Sequence, residues 1–155
     1  MTIQVKEYMT KDAVELLLVE DNSSDEELTL HVLRKYNLAN RIEVVRDGAE
    51  ALEFLFGNGA QPIPKLILLD LKLPKLNGRE VLTQIKGDAR TKLIPVVVLT
   101  SSREDSDLAA CYRLGVNSYI VKPVDFAQFT ECVRQLGLYW LLVNEPARAY
   151  NEQRA

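Results

Sequence analysis

In Lys65-Leu66-Ile67-Leu68-Leu69-Asp70-Leu71-Lys72-Leu73-Pro74, an unbroken aliphatic run ends in a carboxylate and passes into a turn. A strand with one face in water alternates apolar with polar residues. This run does not alternate, so it predicts a strand covered on both faces of a parallel sheet. Asp70 then falls at the carboxyl end of the strand, the edge at which an α/β sheet exposes chemistry. Three other apolar runs end in polar groups in the same way: Leu16 to Val19 before Glu20 and Asp21, Val96 to Leu99 before Thr100 and Ser101, and Tyr119 to Val121 before Lys122. Together these ends predict one acidic site capped by a lysine.

Ile42 to Val45 adds a fifth short apolar run, and segments with helical spacing lie between and after the runs: Glu26 to Tyr36, Ala49 to Phe56, Gly78 to Lys86, Asp105 to Leu114 and Asp125 to Leu142. Local punctuation supports the boundaries. Asp47 and Asp125 can cap the helices that follow them, and Gly57 and Gly59 can stop the second. Strand and helix alternate throughout, which predicts an α/β fold: a single (βα)5 doubly wound parallel sheet with right-handed crossovers between two helical layers. No linker or repeat divides the chain. The expected organisation is a polar N-terminal tail over 1–12, one domain over 13–143, and a C-terminal tail over 144–155 that Pro146 keeps from continuing the last helix.

A chain of 155 residues can bury enough surface to fold without a metal staple or disulfide framework. Its 19 basic and 22 acidic residues give a formal charge of −3, so no chain-wide basic field exists to grip nucleic acid, and direct nucleic-acid binding is not expected. Cys111 and Cys132 lack metal-ligand spacing and suit a reducing compartment. No apolar stretch is long enough to span a bilayer, and Met1 to Asp12 is too polar for a secretory leader, so the expected location is the cytoplasm.

Glu20, Asp21 and Asp70 place carboxylates close enough to repel one another. A hard divalent cation relieves that repulsion, and Mg²⁺ suits a few carboxylates, a backbone carbonyl and retained waters, with a position left for a phosphoryl oxygen. Lys122 adds a compact second cation, and Thr100 offers a hydroxyl donor. Phosphoryl transfer is mostly positioning and charge neutralisation, so this set can make Asp70 a nucleophile toward phosphorus.

The motifs Leu18-Val19-Glu20-Asp21-Asn22, Asp70-Leu71-Lys72-Leu73-Pro74-Lys75-Leu76-Asn77-Gly78, Leu99-Thr100-Ser101 and Tyr119-Ile120-Val121-Lys122-Pro123 resemble the signature of response-regulator receiver domains of two-component signalling, in the family's order and over about Glu15 to Leu142. The resemblance implies a flavodoxin-like fold with Asp70 as phosphoacceptor. Metal would be held by Asp21, Asp70 and the backbone carbonyl of Lys72, with Glu20 completing the acidic pair. Lys122 and Thr100 would contact the phosphoryl group, with Ser101 a weaker candidate. Thr100 and Tyr119 would form a switch that alters the surface of the fourth helix, fifth strand and fifth helix, and the Lys122-Pro123 bond would be cis. Leu73 and Asn77 depart from the residues common in the family without touching this chemistry. Lys72 and Ser102 occupy positions that vary among relatives and line the pocket. The opening motif and the aromatic last helix look most like the single-domain regulators paired with bacterial and cyanobacterial phytochromes, which implies a light-regulated sensor histidine kinase as phosphodonor.

On the last helix Phe126, Phe129, Val133, Leu136 and Trp140 share a face that can serve the core, whereas Leu138, Tyr139, Leu141 and Leu142 point elsewhere and are candidates for a homodimer interface. His31 reads as a structural or solvent-facing imidazole. The Asp25-Glu26-Glu27 run reads as support for the positive end of its helix rather than as metal ligands. The expected activity is self-modification, not turnover of an external substrate. The main alternative is a Mg²⁺-dependent phosphohydrolase with an aspartyl-phosphate intermediate, which calls for a second Asp where Lys72 stands. A receiver that works without phosphorylation is disfavoured because no key residue is missing.

Overall fold

Strands β1 (Leu16–Val19), β2 (Ile42–Val45), β3 (Leu66–Leu69), β4 (Val96–Thr100) and β5 (Ser118–Val121) pair in parallel in the order β2-β1-β3-β4-β5, with Leu68 flanked by Leu18 and Val97 at the sheet's centre. The computed structural model describes residues 14–57 and 62–147. The expected N-terminal tail, the helix stop at Gly59 and the end of the C-terminal tail lie outside the described residues.

Alternate strand residues feed opposite layers. Leu17, Val19, Ile67, Leu69, Val96 and Val98 face α2 (Gly48–Phe56), α3 (Gly78–Gly87) and α4 (Asp105–Leu114), which contribute Ala51, Leu55, Val81, Leu82, Ile85 and Cys111. Leu16, Leu18, Leu66, Leu68, Val97 and Leu99 face α1 (Ser23–Lys35) and α5 (Phe126–Gly137), which contribute Val32, Leu33, Phe129, Val133 and Leu136. Burying a side chain of this size stabilises by about 1.5–3 kcal/mol. The continuous apolar runs are thus explained by two cores, one on each face.

Helix starts follow from side-chain caps. Asn22, Asp47, Asn77 and Asp125 accept from the backbone N–H groups of Asp25, Glu50, Glu80 and Gln128 at 2.8–3.0 Å. Gly115, with φ of +97°, ends α4 in the left-handed region.

The last helix departs from expectation. It is not one α-helix to Leu142: α5 passes at Leu138–Val143 into a π-helical turn that ends before Pro146. The wider turn changes which residues face the core, so Leu141 follows Leu136 inward and is only 2% exposed. Leu141 is therefore core and not a dimer-surface residue, whereas Leu138, Tyr139 and Leu142 are exposed. Phe126, expected in the core, opens the helix and is 68% exposed. Trp140 is half-buried and packs edge-on against Tyr139.

Candidate functional site

The ends of β1, β3, β4 and β5 bring the acidic site together at one edge of the sheet. Glu20 is buried beyond Val19, with its N–H bonded to the Val45 carbonyl, and Asp70 is buried beyond Leu69, with its N–H bonded to the Val19 carbonyl. Backbone pairing thus fixes both carboxylates before any side-chain contact is made. Asp21 is exposed, and one oxygen from each of Glu20, Asp21 and Asp70 lies within 4.8 Å of the other two. Such an all-oxygen set suits a hard divalent cation.

Lys122 crosses from β5 and donates to Glu20 Oε1 at 2.7 Å, Asp70 Oδ2 at 2.8 Å and Asp25 Oδ2 at 2.9 Å. Its side chain is 9% exposed. The backbone N–H of Lys72 donates to the other Asp70 oxygen at 3.2 Å. Asp25 is the participant that sequence reading missed, having assigned it to helix support alone. The three N–H groups of an ammonium carry the missing signal, because a buried lysine beside two buried acids leaves one donor still to place.

Burial pushes the Glu20 carboxyl up to about 7, Asp70 acts in the same direction, and Lys122 offsets them only in part. Burial also works to raise Asp70, but the Lys122 ammonium, the Glu20 carboxyl and the Lys72 N–H outweigh it and hold Asp70 below its ordinary value. Two like charges at this separation cannot both be free of protons at little cost. Of the pair, Glu20 is the member that holds a proton more readily and Asp70 the one that ionises more readily. Burial lowers Lys122, yet Asp70, Glu20 and Asp25 together hold it above the ordinary lysine value.

Thr100 is buried, and its Oγ1 accepts from the Ser102 N–H at 3.3 Å. The Tyr119 hydroxyl donates to the Ser102 carbonyl at 3.1 Å, and the Ser102 hydroxyl donates to Asp107 Oδ2 at 2.6 Å. Thr100 and Tyr119 thus meet at one loop residue. Ser101 is exposed. The Lys122–Pro123 bond is not cis, as expected, but trans. X–Pro bonds favour trans by about 0.5–1 kcal/mol. In this form the Lys122 N–H already reaches the Thr100 carbonyl at 2.7 Å while Nζ reaches its carboxylates, so no contact demands the rarer isomer.

The response regulator receiver domain family matches residues 16–134. The chain belongs to that family. This receiver is 43% identical over 133 residues to a probable methanogenesis regulatory protein, FilR2, of Methanothrix harundinacea, covering 84% of the chain and 86% of that protein. It is 42% identical over 129 residues to the response regulator Rcp1 of Synechocystis, covering 81% and 88%. The Mn²⁺-bound structure of Rcp1 superposes with a TM-score of 0.83 at 39% identity, covering 87% of this receiver and 99% of that chain. The phosphorylated cyanobacterial phytochrome response regulator RcpA gives a TM-score of 0.80 at 38% identity, covering 88% and 99%.

The receiver is therefore a phosphoacceptor signalling module of the two-component type, and receiver domains take their phosphoryl group from histidine kinases. The phosphohydrolase alternative is not favoured: it calls for a second Asp two residues after the nucleophile, and that position is Lys72. No helix among the described residues is long and apolar enough to cross a membrane.

Proposed function

We propose that Asp70 accepts a phosphoryl group from the phosphohistidine of a sensor kinase, with Mg²⁺ held by Asp21, Asp70 and the backbone carbonyl of Lys72 and Glu20 as the second acid. The observation that carries this reading is Lys122 Nζ at 2.8 Å from Asp70 Oδ2, where Asp70 also belongs to the one group of three acids among the described residues whose oxygens lie within 4.8 Å of one another. An Asp70 oxygen attacks phosphorus, the donor's P–N bond breaks with its electron pair left on the imidazole, and an aspartyl phosphate remains. The bound cation supplies neutralisation of the phosphoryl oxygens. Lys122 balances the charge from the other side, and Thr100 turns its hydroxyl toward the new group. Tyr119, released from Ser102, moves inward and alters the surface formed by α4, β5 and α5. Likeness to the phosphorylated cyanobacterial phytochrome response regulator RcpA supports a phytochrome-type kinase as donor, and a cytoplasmic site of action is part of the same proposal.

The test is incubation with acetyl phosphate and Mg²⁺, read by intact mass. Wild type gains one phosphoryl group and Asp70→Asn gains none. Labelling of the variant to the same extent overturns the assignment.

A homodimer is the second element of this proposal. Leu138, Tyr139 and Leu142 are 42%, 50% and 56% exposed on the π-helical segment, a patch that a second copy can cover together with α4 and β5. Sedimentation at high micromolar concentration is expected to show a dimer, and a monomer in both phosphorylation states rules it out.

A further inference from the structure

We infer that Asp47 and Gly48, at the start of α2, are positioning residues for the phosphoacceptor: they hold the tip of the β3–α3 loop, whose base orients Asp70. The inference rests on Asp70 as phosphoacceptor, proposed above, and deepens that reading.

The two oxygens of Asp70 are held from two sides. Oδ2 accepts from Lys122 at 2.8 Å, and Oδ1 accepts from the backbone N–H of Lys72 at 3.2 Å, so the direction in which the nucleophile faces depends on where residue 72 lies. Lys72 belongs to a bulge. The loop closes at its base, where the Gly78 N–H reaches the Leu71 carbonyl at 2.8 Å, and residues 72–77 stand out from there. At the tip, Lys75 has φ of +65°, in the left-handed region that a residue with a Cβ adopts only at a cost. Among the described residues the one other non-glycine with positive φ is Asn37, a type that tolerates it. A strained lysine persists where its surroundings over-determine it.

Those surroundings are the first residues of α2. The Gly48 N–H approaches the Pro74 carbonyl at 3.5 Å, and Asp47 Oδ2 lies 3.3 Å from Lys75 Nζ while Oδ1 caps the helix at the Glu50 N–H. A Cβ on Gly48 would stand 2.6 Å from Leu76 Cβ and closer still to the Leu76 carbonyl oxygen. The tip therefore rests directly on the helix start. Asp47 and Gly48 act on Asp70 through the loop backbone alone.

The test uses Lys75→Gly in the full chain, because glycine relieves the left-handed conformation while removing the charge that ties the tip to Asp47. This variant is expected to melt no lower than wild type, yet to label with acetyl phosphate about threefold more slowly at saturating Mg²⁺, the worth of one partly exposed ion pair. Asp47→Asn keeps a cap oxygen and loses the same pair, so it slows labelling equally, and the double variant is no slower than either single. Gly48→Ala pushes the tip off the helix and slows labelling by at least about tenfold. The backbone amide signal of Lys72 in NMR reads the position directly and is expected to move in every variant. Leu141→Ala, destabilised far from the loop, leaves that signal in place and labels within about twofold of wild type. Wild-type labelling in Lys75→Gly and Asp47→Asn, or losses that simply add in the double variant, overturns the inference even where Gly48→Ala does not fold. Labelling of Asp70→Asn to the wild-type extent sinks the phosphoacceptor reading instead, so the two failures are separable.

Discussion

Glu20 makes the site sensitive to pH in a direction opposite to that of most carboxylates. Its carboxyl sits at about 7 in the folded protein against an ordinary 4.5, so the native state holds this proton more tightly than the unfolded chain. The stabilisation is complete below pH 4.5 and is lost as pH rises through 7; at full size it amounts to roughly 3 kcal/mol. Metal-free protein is thus expected to melt at lower temperature at pH 7.5 than at pH 5, and Glu20→Gln flattens that dependence. Calorimetry across the range checks it, and a flat wild-type profile contradicts the assignment. Lys122→Met leaves two buried acids without their cation and should cost about 3–5 kcal/mol at pH 8, less at pH 5 where Glu20 is neutral in the variant. Urea denaturation at the two pH values measures both numbers. Asp70, Glu20, Asp21, Thr100 and Lys122 were visible in the sequence because each ends an apolar run. Asp25 was not, because its partner lies ninety-seven residues away and no local pattern marks it.

The elements explain why the acidic edge is held so closely. A methyl group on Gly78 would stand 2.4 Å from the Asp70 carbonyl oxygen and 2.5 Å from Leu71 Cα, both backbone atoms. Gly78→Ala must therefore shift the β3–α3 turn itself. Expected are a loss of at least 2 kcal/mol in stability and slower acetyl-phosphate labelling, because Asp70 moves with its backbone. Wild-type labelling in a stable variant refutes this. At the other end of the chain, Leu141→Ala empties a core position and should cost about 2–5 kcal/mol, whereas Leu142→Ala, one residue on, stays within about 0.5 kcal/mol in the monomer. Equal losses would mean that the last turn is α-helical. Sequence periodicity could not show this turn, because a 3.6-residue period assumes that the helix continues unchanged. Leu141 obeys the wider spacing of a π-helical turn and joins the core on the face of the sheet that α1 and α5 cover. Strand ends and most helix boundaries were legible within a few residues because caps at Asn22, Asp47, Asn77 and Asp125 are local interactions.

At the scale of the whole molecule, the fold was legible because hydrophobic runs and helical spacing agree throughout, and the strand order β2-β1-β3-β4-β5 places the switch point of the sheet between β1 and β3. Glu20 and Asp70 flank that point. A cation that binds only the folded form stabilises it by mass action, by about 2.7 kcal/mol at one hundred times its dissociation constant. Adding Mg²⁺ is expected to raise the melting temperature of wild type, and Asp21→Asn together with Asp70→Asn should abolish the rise. Persistence of the rise in that double variant would place the cation elsewhere. The isomer of Lys122–Pro123 was not legible, since a small intrinsic preference is decided by surroundings that no sequence pattern encodes.

Because neighbouring residues of β3 serve opposite layers, its length is a parity condition. Deleting one residue between Leu66 and Leu69 would swap the layer that each remaining leucine addresses and turn Asp70 by half a revolution, away from its lysine. Drift in this strand is confined to exchanges that keep the number of positions odd or even as it stands, while the connecting loops remain free to grow or shrink.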